Sequence, residues 1–314
     1  AHEFNHVLQW ATDFAEPTLP IWEGTATAAQ QWTLGNNDWD ADVYSFQEAP
    51  WVPALVGDGY EAWDSWGVGY TYEYGSALWV MHIDEVLRDG DGSAGPALWA
   101  AVAQEGWDNE PDVIDAVQVV SGQTLGGFLN GLARTRLLVG DSWDDRGLAA
   151  AADWGVDETV PRLSATVARR EPVALTFDPP LQVTGQGFAS LAPDGDGRPF
   201  QVWVDARGDR AALLVLWWTE EGVAGEAGDE GTLPLVWVPE GAVRVVAAVS
   251  YLGWEGWDGD DNAYVDGDLS LVASYERGPT ETAPRGCGCG MAGHAGSWMW
   301  GLAGMVLVRR RVRS

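Results

Sequence analysis

The first residues that can do chemistry are His2-Glu3-Phe4-Asn5-His6, an H-E-x-x-H motif at the start of the chain. Positions i and i+4 share one face of a helix, so both imidazoles can converge on a single ion. Glu3, next to the first histidine, can then face a water that the ion holds. Zinc suits such a nitrogen pair: it lowers the pKa of its water toward neutrality and polarises a carbonyl, while the carboxylate relays the proton. The motif predicts His2 and His6 as metal ligands and Glu3 as general base.

A hydrolytic zinc needs a third protein ligand and keeps its fourth position open. The metzincin pattern would place Gly at position 9 and His at position 12; Gln9 and Thr12 exclude it. Two carboxylates lie nearby. Glu16 precedes Pro17 and is expected in a turn. Glu23 sits in Trp22-Glu23-Gly24-Thr25-Ala26, early in a second helix that can fold back antiparallel to the first. The plain alternative for Glu23 is a solvated first-turn carboxylate favoured by the helix dipole.

The Glu-Gly-Thr-Ala run resembles the E-G-x-A signature of gluzincins, seen in M1-type aminopeptidases and in secreted metalloproteases of myxobacteria. The resemblance implies a zincin-like fold with Glu23 as third zinc ligand and a polypeptide substrate. Sixteen residues separate His6 from Glu23, slightly fewer than in the best-known gluzincins. Tyr72-Glu73-Tyr74-Gly75 is similar to the M1-type segment that supplies an oxyanion-stabilising hydroxyl, and by position that residue is Tyr72. Its alternative is an aromatic packing cluster of Tyr70, Tyr72 and Tyr74. Ser121–Leu138 resembles the closing helix of the myxobacterial catalytic region, so the likeness spans about residues 1–145.

These residues need elements to hold them. Phe4, Val7, Leu8, Ala11 and Phe14 recur at helical spacing, predicting a helix over His2–Phe14 with that stripe buried. Further helices are expected at Pro20–Trp32, Ser76–Arg88, Pro96–Gln104, Pro111–Val120 and Thr124–Val139. His82, beside Asp84 and Glu85, reads as surface structure. After Pro161 the pattern changes to short alternating runs: Pro199–Asp205, Ala211–Trp218, Thr232–Val238, Ala242–Tyr251 and Asp268–Tyr275. They predict an antiparallel β-sandwich. The expected organisation is multi-domain α + β: a helical catalytic region over 1–152, a β-sandwich accessory domain over 160–277, a linker over 278–290 and a tail over 291–314.

The tail carries the location. Met291–Val308 is apolar apart from His294 and Ser297, long enough for a short transmembrane helix, and Arg309-Arg310-Arg311-Val312-Arg313 follows. Cys287-Gly288-Cys289 before it offers too few thiols for a closed zinc site. Cys-Gly-Cys, a short apolar span and an arginine cluster resemble the MYXO-CTERM sorting signal. That resemblance implies export, cleavage near the cysteines, lipid attachment there and display at the outer membrane; a simple tail anchor is the alternative. The first residue is Ala1 and the motif follows at once, so the N-terminus reads as truncated or processed, and such a chain is expected to bind zinc weakly or be inactive.

The net charge is −30, and all 17 basic residues are Arg. Such a surface repels nucleic acid and anionic lipid, and otherwise reads as a solubility trait. Acidic stretches at Asn36–Asp42 and Asp258–Asp268 lack EF-hand spacing; they read as solvated loops, with calcium binding as the alternative. The 20 tryptophans read mainly as core rather than as sugar platforms. Oligomeric state is not legible. The rival to a peptidase is a non-catalytic surface adhesion protein using the β-sandwich.

Overall fold

In the computed structural model residues 1–13, 18–34, 40–57, 72–103, 111–144, 146–153, 160–194, 197–221, 224–257 and 265–276 are described. Glu16, Tyr70, most of both acidic stretches and the whole linker and tail with Cys287 and Cys289 lie outside them. No helix among the described residues is long and apolar enough to cross a membrane.

Helices come first: α1 (His2–Thr12), α2 (Leu19–Leu34), α3 (Asp40–Glu48), α4 (Tyr72–Gly75), α5 (Ala77–Met81), α6 (Ala94–Val102), α7 (Val113–Ser121) and α8 (Leu125–Leu137). Their ends follow local chemistry. Asp112 caps α7 by accepting from the amides of Ile114 and Asp115, and Gly122 closes it in the left-handed region at φ 70°. Thr124 caps α8 by accepting from the Gly127 amide. Helix α5 runs on as a π-helical segment, His82–Leu87. Within it, buried Asp84 accepts from the amides of Gly92 and Ala94 at 3.0 and 3.1 Å, which fixes the start of α6.

Among the described residues nine strands follow in two packed sheets, so the chain is a mixed α + β fold. One sheet has the order β1-β3-β8-β5-β6, with β1 Leu163–Val167, β3 Gln186–Pro193, β5 Ala211–Thr219, β6 Ala224–Gly231 and β8 Ala242–Tyr251. The other is β2-β9-β4-β7, with β2 Val173–Thr176, β4 Phe200–Asp205, β7 Leu235–Val238 and β9 Ser270–Ser274. The pairing is antiparallel except that β1 runs parallel to β3, from Leu163 opposite Ala189 to Val167 opposite Pro193. An all-antiparallel sandwich was expected. The difference arises because β1 and β3 are not a hairpin: the chain visits the other sheet as β2 between them.

Helices and sheets share a large core cluster, from Ile21 and Phe46 through Phe128 to Val249 and Leu271, and a second cluster joins Ala133 and Leu137 to Phe188, Leu214 and Val246. The seam between them is built on α8, whose Phe128, Leu129, Leu132, Ala133 and Leu137 are buried. At its centre Arg136 is completely buried. Its guanidinium donates to Gln47 Oε1 (2.8 Å), to Gln186 Oε1 (3.2 Å) and to the Phe46 carbonyl, and lies over the Phe46 ring at 4.3 Å. Desolvation holds its pKa down at about 10, with the Tyr72 hydroxyl as a smaller opposing influence. The backbone joins the seam too: the Gln186 amide donates to the Pro50 carbonyl at 2.6 Å, and Thr184 Oγ1 accepts from the amide of Ala54.

Two expectations are corrected here. The apolar stripe of α1 faces solvent: Phe4, Val7 and Leu8 are 52–67% exposed, Ala11 is exposed as well, Phe14 lies outside the described residues, and the one fully buried side chain of the helix is Gln9. The inward face is instead polar, because α2 meets α1 with hydrogen-bonding groups. His82 is not on the surface but buried in the core. Its Nδ1 lies 2.8 Å from Thr135 Oγ1, and its ring packs on Phe128. Gly131 makes room for it, since a Cβ there would stand 2.8 Å from His82 Nε2. Burial, aided by the charge of Arg134, holds its pKa down at about 3, so the ring is neutral.

Candidate metal centre

Helix α1 packs across α2 through side chains rather than apolar contact. Asn5 Nδ2 donates to the Thr25 carbonyl at 3.1 Å, and Gln9 reaches Trp22 and Thr25. This contact turns the shared face of His2 and His6 toward Glu23. His2 Nε2 lies 3.1 Å from His6 Nε2 and 3.1 Å from Glu23 Oε2, and His6 Nε2 lies 3.5 Å from the same oxygen. All three side chains keep a partial opening to solvent, 15–23% exposed. Among the described residues they are the one group of three or more His, Cys, Asp or Glu side chains whose ligand atoms lie close enough for a shared ion.

The spacing can be tested against zinc. Bonds of 2.0–2.2 Å in a tetrahedral site put neighbouring ligand atoms roughly 3.3 Å apart. The observed edges of 3.1, 3.1 and 3.5 Å bracket that value. Two imidazole nitrogens and one carboxylate oxygen also form a donor set that zinc prefers over calcium or magnesium. The residues fit the ion.

The signature around Glu23 has a steric reason. A Cβ at Gly24 would stand 2.6 Å from Ser76 Oγ and 3.3 Å from the Ala77 amide nitrogen. Glycine therefore lets α2 touch the start of α5, where Ser76 Oγ donates to the Pro20 carbonyl at 3.0 Å. That contact brings the short α4 beside α1, and the Tyr74 ring lies 5.6 Å from the His2 ring.

Tyr72, the expected oxyanion donor, is not presented at this spot. It is buried against Phe46, and its hydroxyl donates to the carbonyls of Val52 and Pro53 at 3.1 and 3.2 Å. Burial pushes its pKa up. Two residues apart on one helical turn, Tyr72 and Tyr74 point to different sides, and the core takes Tyr72. Glu3 is exposed in the first turn of α1, one residue from His2. Of the five expected site residues, the structure gathers His2, His6 and Glu23, leaves Glu3 exposed one residue along from His2, and buries Tyr72 elsewhere.

Sequence reasoning missed Gln9, Thr25 and Tyr74. Gln9 was legible in principle, because it lies three residues after His6 and so shares its helix face. A groove of about 660 Å³ between α1, α2 and α6 is lined by Phe4, Leu8, Thr25, Trp32 and Trp99, but by none of the three convergent residues. From the acidic stretches, Asp266 and Asp268 are described: they accept from Gln182 and Arg207.

A scan against protein-family models and a search of curated proteins give no match. Among solved structures, the chain is similar to the pre-peptidase C-terminal domain of a collagenase from Bacillus anthracis. Identity is 10%, coverage is 36% of this chain and 96% of that one, and the TM-score is 0.23. A likeness at that score carries no argument about fold or function.

Proposed function

We propose that the chain carries a zinc centre for peptide-bond hydrolysis, with His2, His6 and Glu23 as ligands, in a gluzincin-like arrangement. The observation that supports it is the three-atom convergence at edges of 3.1–3.5 Å. Zinc in that place supplies Lewis-acid polarisation of a carbonyl and a water acidic enough to lose its proton near neutral pH. Glu3, exposed one residue along from His2, would serve as the base that takes a proton from the attacking water and passes it to the leaving amine. Tyr74, whose ring lies 5.6 Å from the His2 ring, takes the place of Tyr72 in this reading as the phenol that would donate to the substrate oxygen as negative charge develops on it. The helical region is then the zincin-like part and the sandwich its rigid support. Export and envelope attachment through the tail, with a polypeptide substrate met outside the cell, complete the reading on sequence grounds.

The test has two stages. Chain equilibrated with Zn²⁺ and freed of excess should retain one zinc per molecule, lost on Glu23→Ala. Peptide hydrolysis should then fall by about 10²–10⁴-fold in Glu3→Gln with zinc content unchanged. A wild-type chain that holds no zinc would end the proposal. Zinc bound through Glu23 without any hydrolysis would keep the metal site and remove the enzyme.

A further inference from the structure

We infer that Gln9 is a positioning residue that dictates which nitrogen of His6 faces the shared ligand spot, through a hydrogen-bond chain anchored on two backbone carbonyls. The consequence for metal binding rests on the zinc reading above; the hydrogen-bond argument does not.

The chain begins at groups with no freedom of role. The carbonyls of Ile21 and Trp22 only accept. Thr25 Oγ1 lies 2.7 Å from the Ile21 carbonyl, so its one proton goes there. Its lone pairs are left to accept from Trp99 Nε1–H at 2.8 Å and from Gln9 at 2.7 Å. The Gln9 group nearest Thr25 also lies 3.0 Å from the Trp22 carbonyl. Facing two acceptors, it must be the amide NH₂; a flipped amide would set oxygen against oxygen twice in a buried site. Gln9 Oε1 therefore points the other way, 2.6 Å from His6 Nδ1. An oxygen with no proton demands one from its partner, so His6 Nδ1 carries the hydrogen. His6 Nε2 is then the nitrogen whose lone pair is directed at His2 and Glu23, the form a metal needs. Asp84 acts at one remove: by fixing the start of α6 it places Trp99, which holds the Thr25 hydroxyl in its orientation.

Neighbours of metal-ligating histidines usually set metal affinity by 10–100-fold. Gln9→Leu should lose about that much zinc affinity in chelator competition. Gln9→Glu keeps an acceptor for Nδ1–H but sets a second oxygen against Trp22 and Thr25. It should melt earlier than wild type yet bind zinc within a few-fold of it. Long-range ¹H–¹⁵N spectra of the metal-free, full-length chain should show His6 with hydrogen on Nδ1, assigned by the His6→Asn variant. This measurement needs no altered Gln9, so it stands even where Gln9→Leu fails to fold. Hydrogen on Nε2 in the wild type would overturn the inference. So would zinc affinity that simply follows melting temperature in both Gln9 variants, which is what a purely structural role predicts. A wild-type chain with Nδ1–H but no zinc would defeat the proposed function and leave the positioning intact.

Discussion

Helix α1 meets its neighbour through Asn5, Gln9 and two histidines, whereas α8 meets the five-stranded sheet through Ala133 and Leu137, clustered with Phe188, Leu214 and Val246. Each fully buried aliphatic or aromatic side chain on α8 contributes about 2 kcal/mol, and each neutral hydrogen bond under α1 contributes about 1 kcal/mol net. The first helix spends its inward face on groups that select a geometry, and the second on groups that hold the fold. The difference teaches where stability and chemistry reside. Apolar burial at the seam keeps the molecule together, and the polar α1–α2 contact orients nitrogen and oxygen atoms at little net gain.

The two regions are nonetheless connected. Arg136 stacks on Phe46, Phe46 packs on Tyr72, and Tyr72 lies in the same turn as Tyr74, beside His2. The sandwich thus reaches the candidate site through one buried cation. Removing it should produce the largest effect on stability. Arg136→Ala leaves the oxygens of Gln47, Gln186 and Phe46 without their donor in a dry core, together with a cavity, at a cost of about 4 kcal/mol. Urea unfolding monitored by tryptophan fluorescence measures it. A loss below about 1 kcal/mol would mean that the seam does not depend on this residue.

The next effect separates the buried histidine from the paired ones. His82 has a pKa of about 3 in the folded chain against 6.5 for a free imidazole. The unfolded chain therefore binds a proton that the folded chain refuses, so this contribution is complete above pH 6.5 and is lost as pH falls toward 3. Between pH 7 and pH 4 the loss amounts to about 3 kcal/mol. His82→Leu should flatten the dependence of unfolding free energy on pH by that amount. An unchanged slope would show that His82 is solvated.

How much of this was legible beforehand follows from what each signal physically reports. The H-E-x-x-H spacing and the Glu-Gly pair located three residues that do converge, because ligand chemistry restricts both residue type and helical phase. Strands with strong alternation were placed closely: Ala242–Tyr251 matches β8 end to end. Strand β6, Ala-Gly-Glu-Ala-Gly-Asp-Glu-Gly, was missed, since its residues disfavour strands and it forms only by pairing along β5 at the sheet edge. Helix α3 was missed because its start lies in an acidic run that reads as a loop. His82 was misplaced because flanking carboxylates suggest a surface; here Asp84 is buried as a cap and Glu85 is partly buried, with its pKa raised. Tyr72 and Tyr74 could not be told apart from pattern alone, since the choice depends on which side of one turn the core occupies.

The inversion of α1 has the same origin: periodicity shows that a helix has two faces and is silent on which one is covered. It also yields the smallest expected effect. Trp10 is 68% exposed and sits next to Gln9, which is 1% exposed. Trp10→Ser removes a large apolar group from solvent-facing surface, so it should change unfolding free energy by less than about 0.5 kcal/mol. Zinc uptake should stay at the wild-type level, because Trp10 contributes nothing to the Gln9, Thr25 and Trp99 chain. The adjacent Gln9→Leu removes the buried donor to the Trp22 carbonyl and Thr25 hydroxyl, so it should lower the melting temperature where Trp10→Ser does not. Paired melting curves and zinc titrations of the two variants therefore read the facing of α1 directly. If Trp10→Ser lost more than about 1 kcal/mol, its side chain would be covered in solution, and the polar face could not be the sole contact of this helix.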